Sequence, residues 1–514
     1  MTTSSRRSLL ALALAAALPP GVLREARAAR GDVDRFALGV ASGWPRPDGV
    51  SLWTRLTGAD LPDAVDVRWE VARDEAFRDV AARGIAVARA QWAHSVHVDA
   101  TGLAPGRWYW YRYTALGARS LAGRTRTAPA SDAAGVTLDL AVASCQRWDH
   151  GHWAAWREVA DDAALDLVLF TGDYIYEYPT PPGAQRPRRH DGGWALTLQQ
   201  YRDRYAQYKS DPLLQRAHAR APWITIWDDH EVDNDYAGLQ GAQLQPDFAR
   251  QRAAAYQAWW EHMPLPAPAS PSAAGLRITG RCDWGRLARI HALDTRQHRD
   301  AQACPPHGRG GATTVLAKDC PALLDARRTL LGAEQERWLA DGWASDGRWN
   351  LLAQQMLFAP FTWRDSTHAD TPGGMVWTDG WSGYPAARQR LLDDMSARRA
   401  SNVVVLGGDA HANYVADLHA RADDAASRVA ATEFCGTSIS SHGIAPERVA
   451  AALPFNPHIR HARTDERGWL RLHLDERALQ ARLRAVDDPL DAASALHDQA
   501  RFAVEAGRAG AQRD

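Results

Sequence analysis

The sequence predicts an α/β protein preceded by a small all-β domain. Three observations carry that reading. Residues 35–130 hold short aromatic and β-branched runs separated by turns. Beyond residue 136 apolar runs alternate with helical stretches. Four of those apolar runs end in acidic, His, Cys or Tyr side chains.

In the first region, strands are expected at Val50–Leu56, Val65–Ala72, Ser95–Val98 and Trp108–Thr114. Leu103-Ala104-Pro105-Gly106 makes the turn into the last of them. Such spacing predicts a β-sandwich. No cluster of His, Cys, Asp and Glu marks a site there, so its expected role is packing or a substrate rim. Ala128–Ala134 reads as the linker. Helices are expected at 152–161, 197–208, 248–262, 333–343 and 384–399. Strands near 468–474 and 480–486 close the main domain at about 490. The tail, 491–514, reads as Ala-rich and helical. Pro179–Gly193 reads as a surface loop.

The 514 residues allow two to four domains of roughly 150 residues each. A hydrophobic share of 46% with 24% charged residues fits a globular chain and excludes a disordered one. A net charge of −1 gives no global attraction to nucleic acid or acidic lipid. No specific nucleic-acid partner is expected.

Residues 1–28 read as an address. Arg6-Arg7 precedes the apolar stretch Leu9–Leu18, and Ala26-Arg27-Ala28 supplies a cleavage site. The stretch is too short to span a bilayer, so the mature form, beginning near Ala29, carries no integral membrane segment. The twin arginines point to the Tat export machinery and a periplasmic or secreted destination. Tat cargo is exported folded, which hints at a metal loaded beforehand. Outside the cytoplasm disulfides persist. Cys304 and Cys320, in a Gly/Pro-rich stretch, are the expected pair; Cys282 and Cys435 read as buried thiols or a second pair.

The four run ends carry the chemistry. Leu138–Ala143 leads to Ser144-Cys145-Gln146, and Leu165–Phe170 to Thr171-Gly172-Asp173-Tyr174-Ile175-Tyr176-Glu177. Trp223–Trp227 leads to Asp228-Asp229-His230-Glu231, and Val403–Leu406 to Gly407-Gly408-Asp409-Ala410-His411. Ligands gather beyond the carboxyl ends of such strands. Adjacent carboxylates repel unless a cation lies between them. A bridging Asp can hold two metal ions. A thiolate and a phenolate favour a transition metal such as iron, whereas oxygen ligands suit a harder ion. Each motif alone has an ordinary structural explanation; their joint occurrence at four strand ends predicts a site with two unlike metals.

These blocks, SCQ at 144–146, TGDYIYE at 171–177, WDDHEVDND at 227–235 and GGDAHANY at 407–414, resemble the signatures of the PhoD-like alkaline phosphatase/phosphodiesterase family. FALGVASGWPRPDGVSLWTRL at 36–56, LDTRQHRD at 293–300, WNLLAQQ at 349–355 and WTDGWSGYPAARQRLL at 377–392 extend the resemblance over roughly 35–490. It implies a metallophosphatase-type four-layer α/β/β/α sandwich behind an N-terminal Ig/fibronectin-like β domain. It also implies a centre of Fe3+ with Ca2+. Cys145, Asp173, Tyr176 and His411 match the iron pattern. Asp173 also bridges to calcium, with Asp409, the Asp229 region and Asn234 as oxygen ligands. His230 occupies the position of a phosphate-contacting His. Tyr176 and the lone Cys145 depart from the wider superfamily but agree with this subgroup; Gly380 and Ser382 stand where family members often carry Gln and Asp.

The expected function is hydrolysis of phosphate monoesters, diesters or both. A metal-activated water attacks in line, His230 assists the phosphoryl oxygen or leaving group, and Arg296 binds phosphate or forms a structural ion pair. The substrate is a small-molecule phosphoester or a phospholipid. Two alternatives stand beside this: a phospholipase-like phosphodiesterase with little monoesterase activity, and an exported binding protein whose metal is only structural. Most of the 22 Trp are assigned to core packing.

Overall fold

The computed structural model describes residues 34–266, 271, 275–363, 374–422, 424 and 426–514. The expected export segment, 1–28, lies outside the described residues.

Two large sheets face each other. In the first, the strands run in the order Gln512–Arg513, Leu496–Glu505, Ala478–Val486, Gly468–Leu474, Leu138–Ala143, Leu167–Phe170, Trp223–Thr225, Val40–Arg46, Gly49–Arg55 and Ser95–Thr101. The second runs Gly280–Trp284, Ala288–Ala292, Trp349–Ala353, Val403–Gly407, Val429–Cys435, Asn413–His419 and Ile459–Arg463. Alternation shows the layers. Trp349, Leu351, Ala353, Val404 and Leu406 pack in the core with Leu140, Leu169 and Trp469 of the first sheet. Leu352, Val403 and Val405 point the other way, onto Leu339, Leu391, Leu392 and Met395 of helices Gly332–Ala340 and Pro385–Ala397. On the far side of the first sheet lie helices Ala154–Asp161, Leu198–Lys209, Pro212–His218 and Phe248–His262. Leu138–Ala143, Leu167–Phe170 and Trp223–Thr225 are mutually parallel, as are Trp349–Ala353, Val403–Gly407 and Val429–Cys435. The expected run ends are therefore carboxyl ends of parallel strands.

The five expected helices form at 154–161, 198–209, 248–262, 332–340 and 385–397. Thr197 and Gln200 cap the second reciprocally. Pro212–His218 was not expected; Asp211 accepts from the N–H groups of Leu213 and Leu214 at its start.

Two sequence expectations are corrected. The tail is not helical: Leu496–Glu505 pairs antiparallel with Ala478–Val486. Ala500, Phe502 and Val504 are buried, so a two-residue period outweighs the helix propensity of the alanines. The β region is a sandwich, but one of its sheets is not separate. Val40–Arg46 pairs with Trp223–Thr225, so the N-terminal strands extend the first large sheet. Gly43 sits at that junction, where a Cβ would lie 2.6 Å from the Trp223 carbonyl oxygen. The opposing sheet, Ala64–Ala72, Val80–Arg89, Trp108–Ala115, Ala118–Arg119 and Gly123–Arg126, buries Tyr109, Tyr111 and Tyr113 against Val50, Leu52 and Val96. Cys304 and Cys320 are bonded as expected, and of the two readings for Cys282 and Cys435 the structure shows buried free thiols. Among the described residues no helix is long and apolar enough to cross a membrane.

Candidate metal centre

The four strand ends converge. Three groups form there, each with ligand atoms within 4.8 Å of one another: Cys145, Asp173 and His411; Asp173, Asp229 and His230; Asp228, Asp229 and Asp409. Asp173 belongs to the first two and Asp229 to the last two, so the groups make one chain of sites. Cys145, Asp173, Asp409 and His411 all have positive φ, from 50° to 59°. That region is uncommon for non-glycine residues and costs on the order of 1 kcal/mol or more each. The chain turns sharply as each strand ends, and the turn aims the side chain back over the sheet edge.

Tyr176 closes the first group. Its hydroxyl donates to Asp173 Oδ2 at 2.9 Å, lies 3.2 Å from His411 Nε2 and 2.6 Å from Ser441 Oγ. His411 Nδ1 donates to the His442 carbonyl at 2.8 Å, which leaves Nε2 as the ligand nitrogen. His230 Nδ1 donates to Glu177 Oε2 at 2.8 Å, and the ring stands beside Asp173 and Asp229.

Buried polar braces hold these ends in place. Glu231 accepts from the N–H groups of Asp173 at 3.1 Å, Asp228 at 2.8 Å and Tyr174 at 2.5 Å, tying two strand ends together. Burial, then the Asp173 charge, lifts its pKa to about 8 despite those donors. Gln355 donates to the carbonyls of Trp227 and Leu293 at 2.7 and 2.9 Å and so stitches one sheet to the other.

The electrostatics are uneven. Burial and neighbouring acids push Asp228, Asp229 and Asp409 above the ordinary carboxyl range, although Arg296 opposes this. Burial also opposes ionisation of Asp173, but His230, His411 and the Tyr176 hydroxyl bring it to about 2. Burial drives the Cys145 thiol and the Tyr176 phenol well above their usual values, so each ionises only against a cation. Burial disfavours charge on His230, yet Tyr178, Glu177, Asp173 and Asp229 raise it well above normal.

Arg296 takes the ion-pair role of the two expected for it, while its Nη2 has no hydrogen-bond partner and lies 4.0 Å from Asp409. It is fully buried, and its guanidinium is paired with Asp228 and with Asp379, the latter at 2.7 Å, while Asp229 lies 3.5 Å away. It is the structural counter-charge of the acid cluster. Asn234 is exposed and donates its backbone N–H to Glu177 Oε1 at 2.9 Å. It lines a neighbouring cavity of about 150 Å³ with Trp194, Asp233, Asp235 and Arg309. Sequence reasoning did not single out Asp228, Glu177 or Glu231, although all three stand inside the motif blocks. Ser441 and Asp379 lie on loops and carried no comparable signal.

The donor atoms fit metal ions. Asp173 Oδ1 and Asp228 Oδ2 are buried with no hydrogen-bond partner. A thiol, a phenol and an imidazole meet the Asp173 carboxylate at one end; the carboxylates of Asp228, Asp229 and Asp409 gather at the other, with His230 between.

Comparison with known proteins agrees with this geometry. The sequence model for PhoD-like phosphatases matches residues 140–483, and that for the PhoD-like phosphatase N-terminal domain matches 22–129. Alkaline phosphatase D of Bacillus subtilis (strain 168) is 40% identical over 490 residues, covering 92% of this chain and 82% of that protein. A solved structure of PhoD superposes with a TM-score of 0.87 at 38% identity, covering 93% of this chain and 92% of that one. The non-catalytic alternative is thereby set aside. The chain belongs to the PhoD-like phosphatase family and is a phosphoric ester hydrolase.

Proposed function

We propose that this chain is an exported hydrolase of small-molecule phosphate monoesters and diesters that works with Fe3+ and Ca2+. Cys145, Asp173, Tyr176 and His411 would hold the iron. Asp173, Asp229 and Asp409, joined by Asp228, would hold the calcium, with Asn234 at the edge. The observation that carries the reading is Asp173, shared between the group of Cys145 and His411 and the group of Asp229 and His230, the latter continued through Asp229 to the carboxylates of Asp228 and Asp409. When bound, the metals supply positive charge to the phosphate oxygens and acidify the attacking water.

The protein's own groups do the rest. His230, held by Glu177 and kept cationic by its neighbours, contacts a phosphoryl oxygen and gives its Nε2 proton to the leaving oxygen. Arg296 keeps Asp228 and Asp229 together without entering the reaction. Tyr178 packs edge-on against the His230 ring at 5.1 Å and restricts its rotation. The twin-arginine segment supports Tat export to the periplasm or beyond.

Metal analysis of the mature protein, exported by its own signal, tests the centre. About one iron with one or two calcium per chain is the expected result. Zinc or manganese without iron would overturn the thiolate–phenolate assignment. Asp173→Asn should lose both metals and about 10³-fold or more in turnover. Relative rates on chromogenic mono- and diesters read the ester class; a phospholipase-like diesterase would show little monoesterase activity.

A further inference from the structure

Beside the Cys145–Tyr176–His411 group lies a patch of cationic and imidazole side chains that the centre does not use. It begins at the carbonyl of His442, which receives the His411 Nδ1 proton. The His442 ring is exposed and stacks on His150, with centroids 3.9 Å apart and planes at 22°. The His442 backbone N–H donates to His150 Nδ1 at 3.0 Å. A nitrogen that accepts carries no proton, so the neutral His150 ring has its hydrogen on Nε2. That Nε2–H is buried and unpartnered, on a residue only 7% exposed.

Arg186 lies close enough for its charge to act on both rings. Its Nε is likewise buried without a partner. Burial first, and then the charges of Arg147, His442 and Arg186, hold the His150 pKa down to about 2. Burial, Arg186, Arg467 and Arg147 lower that of His442. The nearby acids are already engaged: Asp149 with Arg147 at 2.7 Å, Asp211 with Arg188 at 2.7 Å. Buried donors without acceptors, in a positive field, are what an anion satisfies.

We propose that His150, His442 and Arg186 form a second anion subsite, which receives a second phosphoryl group carried by the same substrate. The inference rests on the metal-centre reading, because that centre takes the scissile phosphate. Arg186 supplies the fixed charge and His150 Nε2 a directed donor. The exposed His442 ring forms the outer wall.

The test uses metal-loaded enzyme and two matched substrates, propyl phosphate and 1,3-propanediol bisphosphate. Wild type should favour the bisphosphate in kcat/KM by about tenfold or more, chiefly through KM, as one charge-assisted pairing predicts. Arg186→Ala should bring the ratio close to one, and His442→Gln should lower it partly. Equal kcat/KM for both substrates in wild type overturns the proposal. So does a ratio unchanged by Arg186→Ala. A third result also overturns the substrate assignment: inorganic phosphate alters propyl phosphate turnover through Arg186 while no bisphosphate preference exists. Failure of the metal-centre reading shows separately, as Asp173→Asn enzyme that still hydrolyses both esters without bound metal.

Discussion

Two halves of one buried charge cluster behave in opposite ways. In the half around Asp379 each carboxylate oxygen is matched: Oδ2 takes Arg296 at 2.7 Å, and Oδ1 takes Arg299 and Gln302. Burial alone would raise the Asp379 pKa, but the two guanidinium groups drive it far below the ordinary range. In the half around Asp173 and Asp228, Asp173 Oδ1 and Asp228 Oδ2 are buried and unmatched, and burial with the neighbouring acids raises the pKa values of Asp228 and Asp409. The first half is electrically closed by the chain. The second is short of positive charge, and its ligand residues sit in strained backbone. Burial is common to both; what distinguishes them is how much positive charge the chain itself supplies to the buried carboxylates.

The sharpest way to break this comparison is to open the closed half. Arg296→Met keeps the length of the side chain but leaves Asp228 and Asp379 buried without their main partner. Removing one member of a buried pair costs about 3–5 kcal/mol. Chemical denaturation should therefore show a large fall in midpoint with little change in slope. A variant as stable as the parent would mean that the closed half is not closed by Arg296.

The converse experiment empties the open half. Metal that binds only the folded chain stabilises it by about 3 kcal/mol when its free concentration is a hundredfold above Kd. Chelation removes this, and the loss should depend on pH. Asp228, Asp229 and Asp409 have folded pKa values raised above the ordinary carboxyl value of about 4. In stripped protein their protonated forms favour the fold, so that stability is full below the ordinary value and is lost as pH rises through the raised values. Asp173, depressed to about 2, acts only at the acid extreme and in the opposite sense. Bound cations compensate the ionised acids, so the gap in melting temperature between loaded and stripped protein should widen from mildly acid to mildly alkaline pH. A gap that narrows would mean that the carboxylates do not face the metals.

Much of the open half was legible in the sequence, and little of the closed half was. Cys145, Asp173, Asp229, Asp409 and His411 follow apolar runs directly, and a buried strand delivers whatever follows it to the sheet edge. Arg296 and Asp379 come from loops 83 residues apart in sequence, and nothing local announces that they meet. Ser441 and His442 reach the centre on the segment after Val429–Cys435, where no chemical motif marks the strand end. The N-terminal sandwich was visible as strands, but its merger with the main sheet depends on one register pair, Gly43 with Trp223. The tail misled because alanine favours helix in isolation, while Phe502 and Val504 needed the neighbouring strand before their alternation had a face to cover.

The finest distinction lies within the open half, between groups that would touch metal and those that only aim a neighbour. Glu177 is of the second kind. Its Oε2 takes the His230 Nδ1 proton at 2.8 Å and its Oε1 the Asn234 N–H at 2.9 Å. Glu177→Gln keeps the shape, and its amide oxygen can still accept one of these bonds, but the charge is gone. Loss of such a supporting partner typically costs about 10–100-fold in activity or metal affinity. Here the loss should fall on kcat, and the pH profile should identify its cause. Burial already disfavours the imidazolium, and Glu177 is one of the groups that hold the His230 pKa up. Without that charge His230 gives up its proton at lower pH, so the alkaline limb of the kcat profile should move to lower pH, with the metal content unchanged. A lower kcat with an unmoved limb would make Glu177 a packing residue and would remove His230 from the proton-donor role. Loss of metal instead would place Glu177 in support of the centre itself, on the same footing as Glu231.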